Sequence, residues 1–178
     1  MPRLKTALAT AEYAVLGLLR RRPAHGYDLQ RRLGGGVGIA RVCHVEPAMV
    51  YAILKSLSGL ELIDGTWDES DYPPKAVYAL TPEGEHAFER WLRQPVARMR
   101  EVRSDFLLKL YFANLEDRGL GRDLLEAQLA ACDEYAASIQ AELAAADPGG
   151  FDEIVLQSKA SAARSTKEWI ELCLSRAS

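Results

Sequence analysis

Pro47-Ala48-Met49-Val50-Tyr51-Ala52-Ile53-Leu54-Lys55-Ser56-Leu57 is the stretch on which the reading of this chain turns. Pro47 suits the first position of a helix, where its missing N–H has no intrahelical acceptor to lose. At about 100° per residue, Val50, Ile53, Leu54 and Leu57 fall on one side of that helix. Ala48, Ala52 and Lys55 fall on the other, with Met49 and Ser56 on one flank and Tyr51 on the opposite one. The apolar back is suited to a protein core. The front carries small side chains and one cation.

Upstream, Thr10–Arg21 carries Ala11, Val15, Leu18 and Leu19 at helical spacing, with Thr10 as the expected N-cap and Pro23 closing the segment. A second short helix is expected over residues 24–33, with Tyr27 and Leu29 on its apolar face. The run Gly34-Gly35-Gly36-Val37-Gly38 ends it, because glycine is cheap in turns and costly inside helices. Downstream of the central stretch the period changes. Residues 60–67, with Ile63 and Trp67, and Lys75–Leu80, with Val77 and Tyr78, read as a β-hairpin around Asp68-Glu69-Ser70-Asp71-Tyr72-Pro73-Pro74. Thr81 then N-caps a helix with Pro82 at its first position and Glu83 in its first turn. That helix carries Phe88, Trp91 and Leu92 and stops near Pro95.

Helix, helix, glycine break, helix, hairpin, helix is the order of a winged helix-turn-helix. Three clusters sharpen it: Leu16-Gly17-Leu18-Leu19 followed by Pro23-Ala24-His25-Gly26-Tyr27-Asp28-Leu29; Val50-Tyr51-Ala52-Ile53-Leu54 followed by Leu57; and Tyr78-Ala79-Leu80-Thr81-Pro82-Glu83-Gly84 followed by Trp91-Leu92. In these the chain resembles the PadR family of bacterial transcriptional regulators. Two positions depart from the family pattern, Ser58 where a Glu is frequent after the third helix and Glu61 where a Gly often precedes the first wing strand. The resemblance implies a mainly α fold with a small β-hairpin. A winged helix-turn-helix DNA-binding domain over 1–95 would be followed by an all-helical C-terminal dimerisation region over 96–178.

On this reading Lys55 projects toward DNA from the middle of the third helix, Tyr51 and Ser56 flank it, and Arg41 and His44 precede it. The resemblance places the matching Tyr in the helix–wing signature; packing against the hairpin is the competing role of Tyr51. Arg20, Arg21, Arg22, Arg31 and Arg32 would extend the basic footprint. Ala48, Met49 and Ala52 offer small or apolar contacts, so DNA shape and a paired half-site are expected to supply much of the specificity. The hairpin tip carries Asp68, Glu69 and Asp71, which repel phosphates. Either the strand residue Lys75 makes the wing contact while the tip points away, or the wing contributes little.

In the rear half, residues 101–115 hold Val102, Phe106, Leu107, Leu110, Tyr111 and Phe112, an amphipathic helix. After a break at Gly119 and Gly121, Leu125, Leu129, Cys132, Ala136, Ile139 and Leu143 recur by four and three, a heptad seam. Asp147-Pro148-Gly149-Gly150 is a turn, and Phe151, Val155, Ser158, Ala162, Ser165, Trp169 and Leu172 repeat the alternation on a last helix. Such a hairpin commonly buries its stripe on a second copy, and the resemblance implies the same homodimer. Paired reading heads meet a palindrome with half-sites about 34–36 Å apart. The resemblance also implies a possible small aromatic effector, for which Trp91, Tyr111, Tyr135 and Trp169 are the candidate stacking residues.

Composition bounds the alternatives. The chain has 178 residues with 48% hydrophobic and 26% charged side chains, ordinary globular make-up. Its net charge of −3 is uneven: residues 1–100 carry 14 Lys/Arg against 11 Asp/Glu, and residues 101–178 carry 8 against 14. No apolar run approaches the roughly 20 residues of a membrane span, and arginines close the mildly apolar N-terminal segment where a secretory signal would need a small-residue cleavage site. Cys43, Cys132 and Cys173, an odd number widely spread, fit small hydrophobes in a reducing cytoplasm rather than a disulfide framework. His25, His44 and His86 are scattered without metal-ligand spacing, and GxSxG, P-loop and HExxH motifs are missing, so neither metal, cofactor nor enzymatic activity is expected. The rival to a DNA-binding regulator is a winged-helix adaptor that binds proteins and no DNA.

Overall fold

The structure, a computed structural model, describes residues 8–68 and 75–176. The chain divides into two compact units, Met1–Leu92 and Arg93–Ser178. In the first, α1 (Thr10–Arg21), β1 (Ala24–His25), α2 (Gly26–Gly34), a 3-10 helix at Gly38–Arg41, α3 (Pro47–Gly59), β2 (Ile63–Asp68), β3 (Lys75–Leu80) and α4 (Pro82–Leu92) follow in order. The strands form an antiparallel sheet in the order β1-β3-β2, with Asp64 opposite Ala79 and Asp68 opposite Lys75.

Four local expectations change. Ala24 and His25 are not helical; they pair with Tyr78 and Val77, so the hairpin gains a third strand. Tyr27, expected on the apolar face of α2, is exposed. The N-cap of α1 is Ala9 rather than Thr10, because the Glu12 carboxylate reaches back to accept the Ala9 N–H at 2.8 Å. The first wing strand starts at Ile63, after a tight turn in which Glu61 has φ of 59°.

That turn is tied to α4. Thr81 donates its hydroxyl to the Glu61 carbonyl at 2.8 Å and accepts the Gly84 N–H at 3.0 Å, while its own N–H reaches the Leu62 carbonyl. Thr81 therefore caps α4 as expected. Gly84 is required here: a Cβ at this position would lie 2.0 Å from the Leu62 carbonyl oxygen. Arg20 is also committed to the core of this unit. Its guanidinium bridges Glu85 and Glu89 on α4 and lies 5.6 Å above the Phe88 ring, so it leaves the basic footprint expected of it. Tyr13 of α1 stacks on Trp91 of α4 at 4.4 Å.

In the second unit a 3-10 helix at Met99–Arg103 precedes α5 (Asp105–Glu116), α6 (Arg118–Ala145) and α7 (Phe151–Arg176). The expected helix over 101–115 is thus interrupted, at Ser104, whose φ of −123° and ψ of −81° are non-helical. Gly119 and Gly121 do not break anything; they lie in the first turns of α6, which Asp117 caps by accepting the Gly119 N–H at 2.9 Å. Along α6, Leu125, Cys132 and Ile139 are buried and Leu129, Ala136 and Leu143 half-buried, as the heptad reading requires.

On α7 the buried row is Leu156, Ala163 and Ile170. The expected stripe is displaced from it: Phe151, Ser158, Ala162, Ser165 and Leu172 are exposed, and Val155 and Trp169 half-buried. Two interleaved rows on α7 both repeat at helical spacing, and the larger aliphatic side chains of Leu156 and Ile170 bury more apolar area than the serines.

Two substitutions test the α4 junction. Gly84→Ala should destabilise by about 2–3 kcal/mol, because backbone must move to admit the methyl group. Glu61→Gly should stabilise by about 1 kcal/mol by removing the left-handed side chain. Thermal melts that shift in the opposite directions would contradict this packing.

Candidate nucleic-acid interface

The exposed front of α3 is the candidate surface. Val50, Ile53, Leu54 and Leu57 are all buried, so Ala48, Ala52 and Lys55 are turned outward with Met49 beside them. Tyr51 is 52% exposed. It lies over Gly26 at the start of α2, so close that a Cβ there would be 2.9 Å from Tyr51 Cε1. Ser56 is exposed, but its hydroxyl donates to Glu12 Oε1 at 2.9 Å, which ties α3 to the start of α1. Glu12 thus serves both helices.

Arg41 ends the 3-10 helix before α3 and is exposed. His44 is exposed too, with Nε2 3.3 Å from Glu46 Oε1. Lys75 opens β3 and is exposed, across the ladder from Asp68. The acidic tip residues Glu69 and Asp71 lie outside the described residues. Arg22 and Arg31 are exposed in the same unit. Sequence reasoning missed Trp67, which is 72% exposed on β2. An aromatic in a strand reads as core, and the signal against it is its neighbours: Asp64, Gly65 and Thr66 supply no second apolar face.

The four aromatic candidates for an effector separate. Trp91 belongs to the first unit and is buried against Tyr13 and Phe88. Tyr111 is half-buried and meets Phe112 edge-on at 5.2 Å. Tyr135 and Trp169 share an open cavity of about 1270 Å³ in the second unit. Arg98, Arg100, Arg103 and Lys159 also line it, with the hydroxyls of Ser158, Ser161, Ser165 and Thr166, a wall suited to an aromatic anion. No group of three or more His, Cys, Asp or Glu among the described residues could hold a metal ion.

Residues 15–90 match the transcriptional regulator PadR-like family, and residues 102–177 match the family described as virulence activator alpha C-term. The first unit is a PadR-like transcriptional-regulator domain. That family is one of transcriptional regulators and not an enzyme class. The chain is 27% identical over 176 residues to the negative transcriptional regulator PadR of Bacillus subtilis, covering 92% of this chain and 94% of that one. Two crystal structures of Bacillus subtilis PadR are similar. The complex with operator DNA is 24% identical, covers 96% of this chain and 99% of that one, and gives a TM-score of 0.49. The complex with p-coumaric acid is 23% identical, covers 95% and 99%, and gives 0.43.

The chain also buries two polar side chains whose residue types read as exposed. Gln128 of α6 is fully buried. Its Oε1 accepts the Val96 N–H at 2.8 Å and its Nε2 donates to the Val96 carbonyl at 3.0 Å. Lys109 of α5 is 4% exposed and donates Nζ to the Gln94 carbonyl at 2.7 Å. Burial lowers the Lys109 ammonium from 10.5 to about 8, against the opposing pull of Asp105 and Glu101. Between those two values the unfolded chain holds the extra proton, so this group adds stability as pH rises through the window and its penalty is complete below about 8. Measured by denaturant unfolding, the stability of the native protein relative to Lys109→Met should climb above pH 8, by at most about 1.4 kcal/mol per pH unit. A difference that does not change with pH would refute the assignment.

Proposed function

We propose that this PadR-like regulator is a cytoplasmic, homodimeric repressor that sets the α3 of each subunit in successive major grooves of a palindromic operator. The observation that carries this reading is the outward front of α3, Ala48, Ala52 and Lys55, backed by four buried apolar residues. Lys55, Arg41 and His44 supply positive or hydrogen-bonding groups, and Tyr51 and Ser56 flank them with one side engaged by Gly26 and Glu12. Lys75 is the wing's candidate phosphate contact. The name of the Bacillus subtilis relative, a negative regulator, supports repression.

The helical unit is the dimerisation element in this reading, through the outward row of α7 in which Phe151 and Leu172 remain exposed. The cavity holding Tyr135 and Trp169 takes a small aromatic effector that releases the operator; a PadR crystallised with p-coumaric acid supports that ligand class. A sedimentation mass of one protomer at working concentration would exclude the dimer. Loss of operator affinity on adding p-coumaric acid, abolished by Trp169→Ala, is the effect expected of the cavity, and an unchanged response in that variant would exclude it.

A gel-shift with DNA upstream of the chain's own gene tests the central reading. Specific binding should weaken with salt with a log–log slope of about −0.9 per phosphate neutralised. Lys55→Ala should cost about tenfold in affinity and leave the melting temperature unchanged, because the side chain is exposed. Failure to retain any upstream fragment at low salt would favour the protein-binding adaptor instead.

A further inference from the structure

The open hollow of the second unit is walled mainly by the 3-10 helix at Met99–Arg103, by α7 and by Tyr135 of α6. Residues 93–178 carry 11 Lys/Arg against 14 Asp/Glu, so this unit has more acids than bases. Even so, Arg98, Arg100, Arg103 and Lys159 all line the hollow, and no carboxylate among the described residues does. Arg98 reaches Glu101 at 3.5 Å, whereas Arg100, Arg103 and Lys159 have no ion pair among the described residues. A 3-10 helix has about three residues per turn, so Arg100 and Arg103 stand one above the other on one edge. Val102 is buried on another edge of the same helix. Like charges gathered without counterions repel, and a bound anion removes that cost. The hollow is also large. Its volume of about 1270 Å³ exceeds the ~300–1,000 Å³ of a pocket for a drug-sized ligand. Along α7 its lining runs from Ser158 to Trp169, about 16 Å at ~1.5 Å per residue.

We propose that the hollow takes an aromatic ligand bearing two or more negative charges on phosphate, the chemistry of a nucleoside diphosphate. Arg100, Arg103 and Lys159 meet the phosphates, and Tyr135 and Trp169 meet the ring. The proposal rests on the reading of this hollow as the effector site, and narrows the ligand class. A hydroxycinnamate holds a single carboxylate on a short vinyl arm from its ring. It answers one cation, leaves the others unneutralised and fills only part of the length. Guanidinium forks pair bidentately with phosphate oxygens, so two forks on one edge suit a diphosphate better than a lone carboxylate. Aromatic side chains stack on any nucleobase, because every base offers a π-face. Between the two ends, Ser158, Ser161 and Ser165 follow one another by three and four along α7, which puts their hydroxyls on one helix face for a sugar.

Calorimetric titration of the full-length protein in magnesium-free buffer with ADP, adenosine, pyrophosphate and p-coumaric acid separates the parts. ADP should bind at least about tenfold more tightly than each of the other three. The double variant Arg100→Gln with Arg103→Gln changes two exposed side chains. It should weaken ADP by at least about tenfold and leave adenosine within about twofold. Arg164→Gln, exposed on α7 outside the hollow, should leave ADP within about twofold of native. ADP no tighter than adenosine or pyrophosphate overturns the proposal, as does an Arg164→Gln loss equal to that of the double variant. If p-coumaric acid binds as tightly as ADP or more so, the phosphate ligand is overturned and the effector site stands. If none of the four binds, the effector reading falls together with it.

Discussion

Burial of the Val50, Ile53, Leu54 and Leu57 row is the constraint from which the first unit follows. A thirteen-residue helix that must hide this row has one orientation left for its opposite face. The neighbours make that orientation specific. Gly26 lets the Tyr51 ring approach the start of α2, and Glu12 holds both the first turn of α1 and the hydroxyl of Ser56. The three-stranded sheet, the Thr81 cap and the close contact of Gly84 with Leu62 complete the frame. A surface that presents small side chains and a lysine is therefore a by-product of packing as much as a binding device.

The same physics explains what could be read without coordinates. The orientation of α3 was legible because four large apolar residues within eight positions outweigh everything else on that helix. The cap at Thr81 and the helix start at Pro82 were legible because capping is local chemistry. The α7 row was misplaced by one position because Val155, Ala162 and Trp169 stand directly before the buried Leu156, Ala163 and Ile170 and repeat with the same period. The pairing of Ala24 and His25 with β3 was illegible since a two-residue strand has no period of its own.

Buried polar side chains are the other blind spot. Lys109 lies three or four residues from the buried Phe106, Phe112 and Ala113, and Gln128 from the buried Leu124, Leu125 and Cys132, yet their residue types read as exposed and their partners are backbone atoms 15 and 32 residues away. No buried side-chain nitrogen or oxygen among the described residues lacks a hydrogen-bond partner, so these groups are accommodated rather than stranded. Net charge misleads in a similar way. The six arginines of residues 20–41 look like one footprint on paper, yet Arg20 is spent on Glu85 and Glu89. The cysteines behave as small hydrophobes: Cys43 and Cys132 are buried, and burial pushes the thiols of Cys132 and Cys173 above their usual range.

The three tryptophans occupy unlike surroundings. Trp67 stands in water on β2, Trp91 is stacked face to face on Tyr13, and Trp169 borders the cavity with Phe106 edge-on at 6.1 Å. Indole emission shifts to the red in water and is altered by stacked or polar neighbours. The chain thus carries three native optical reporters in unlike surroundings, one each for the wing, the head's interior and the helical unit's hollow.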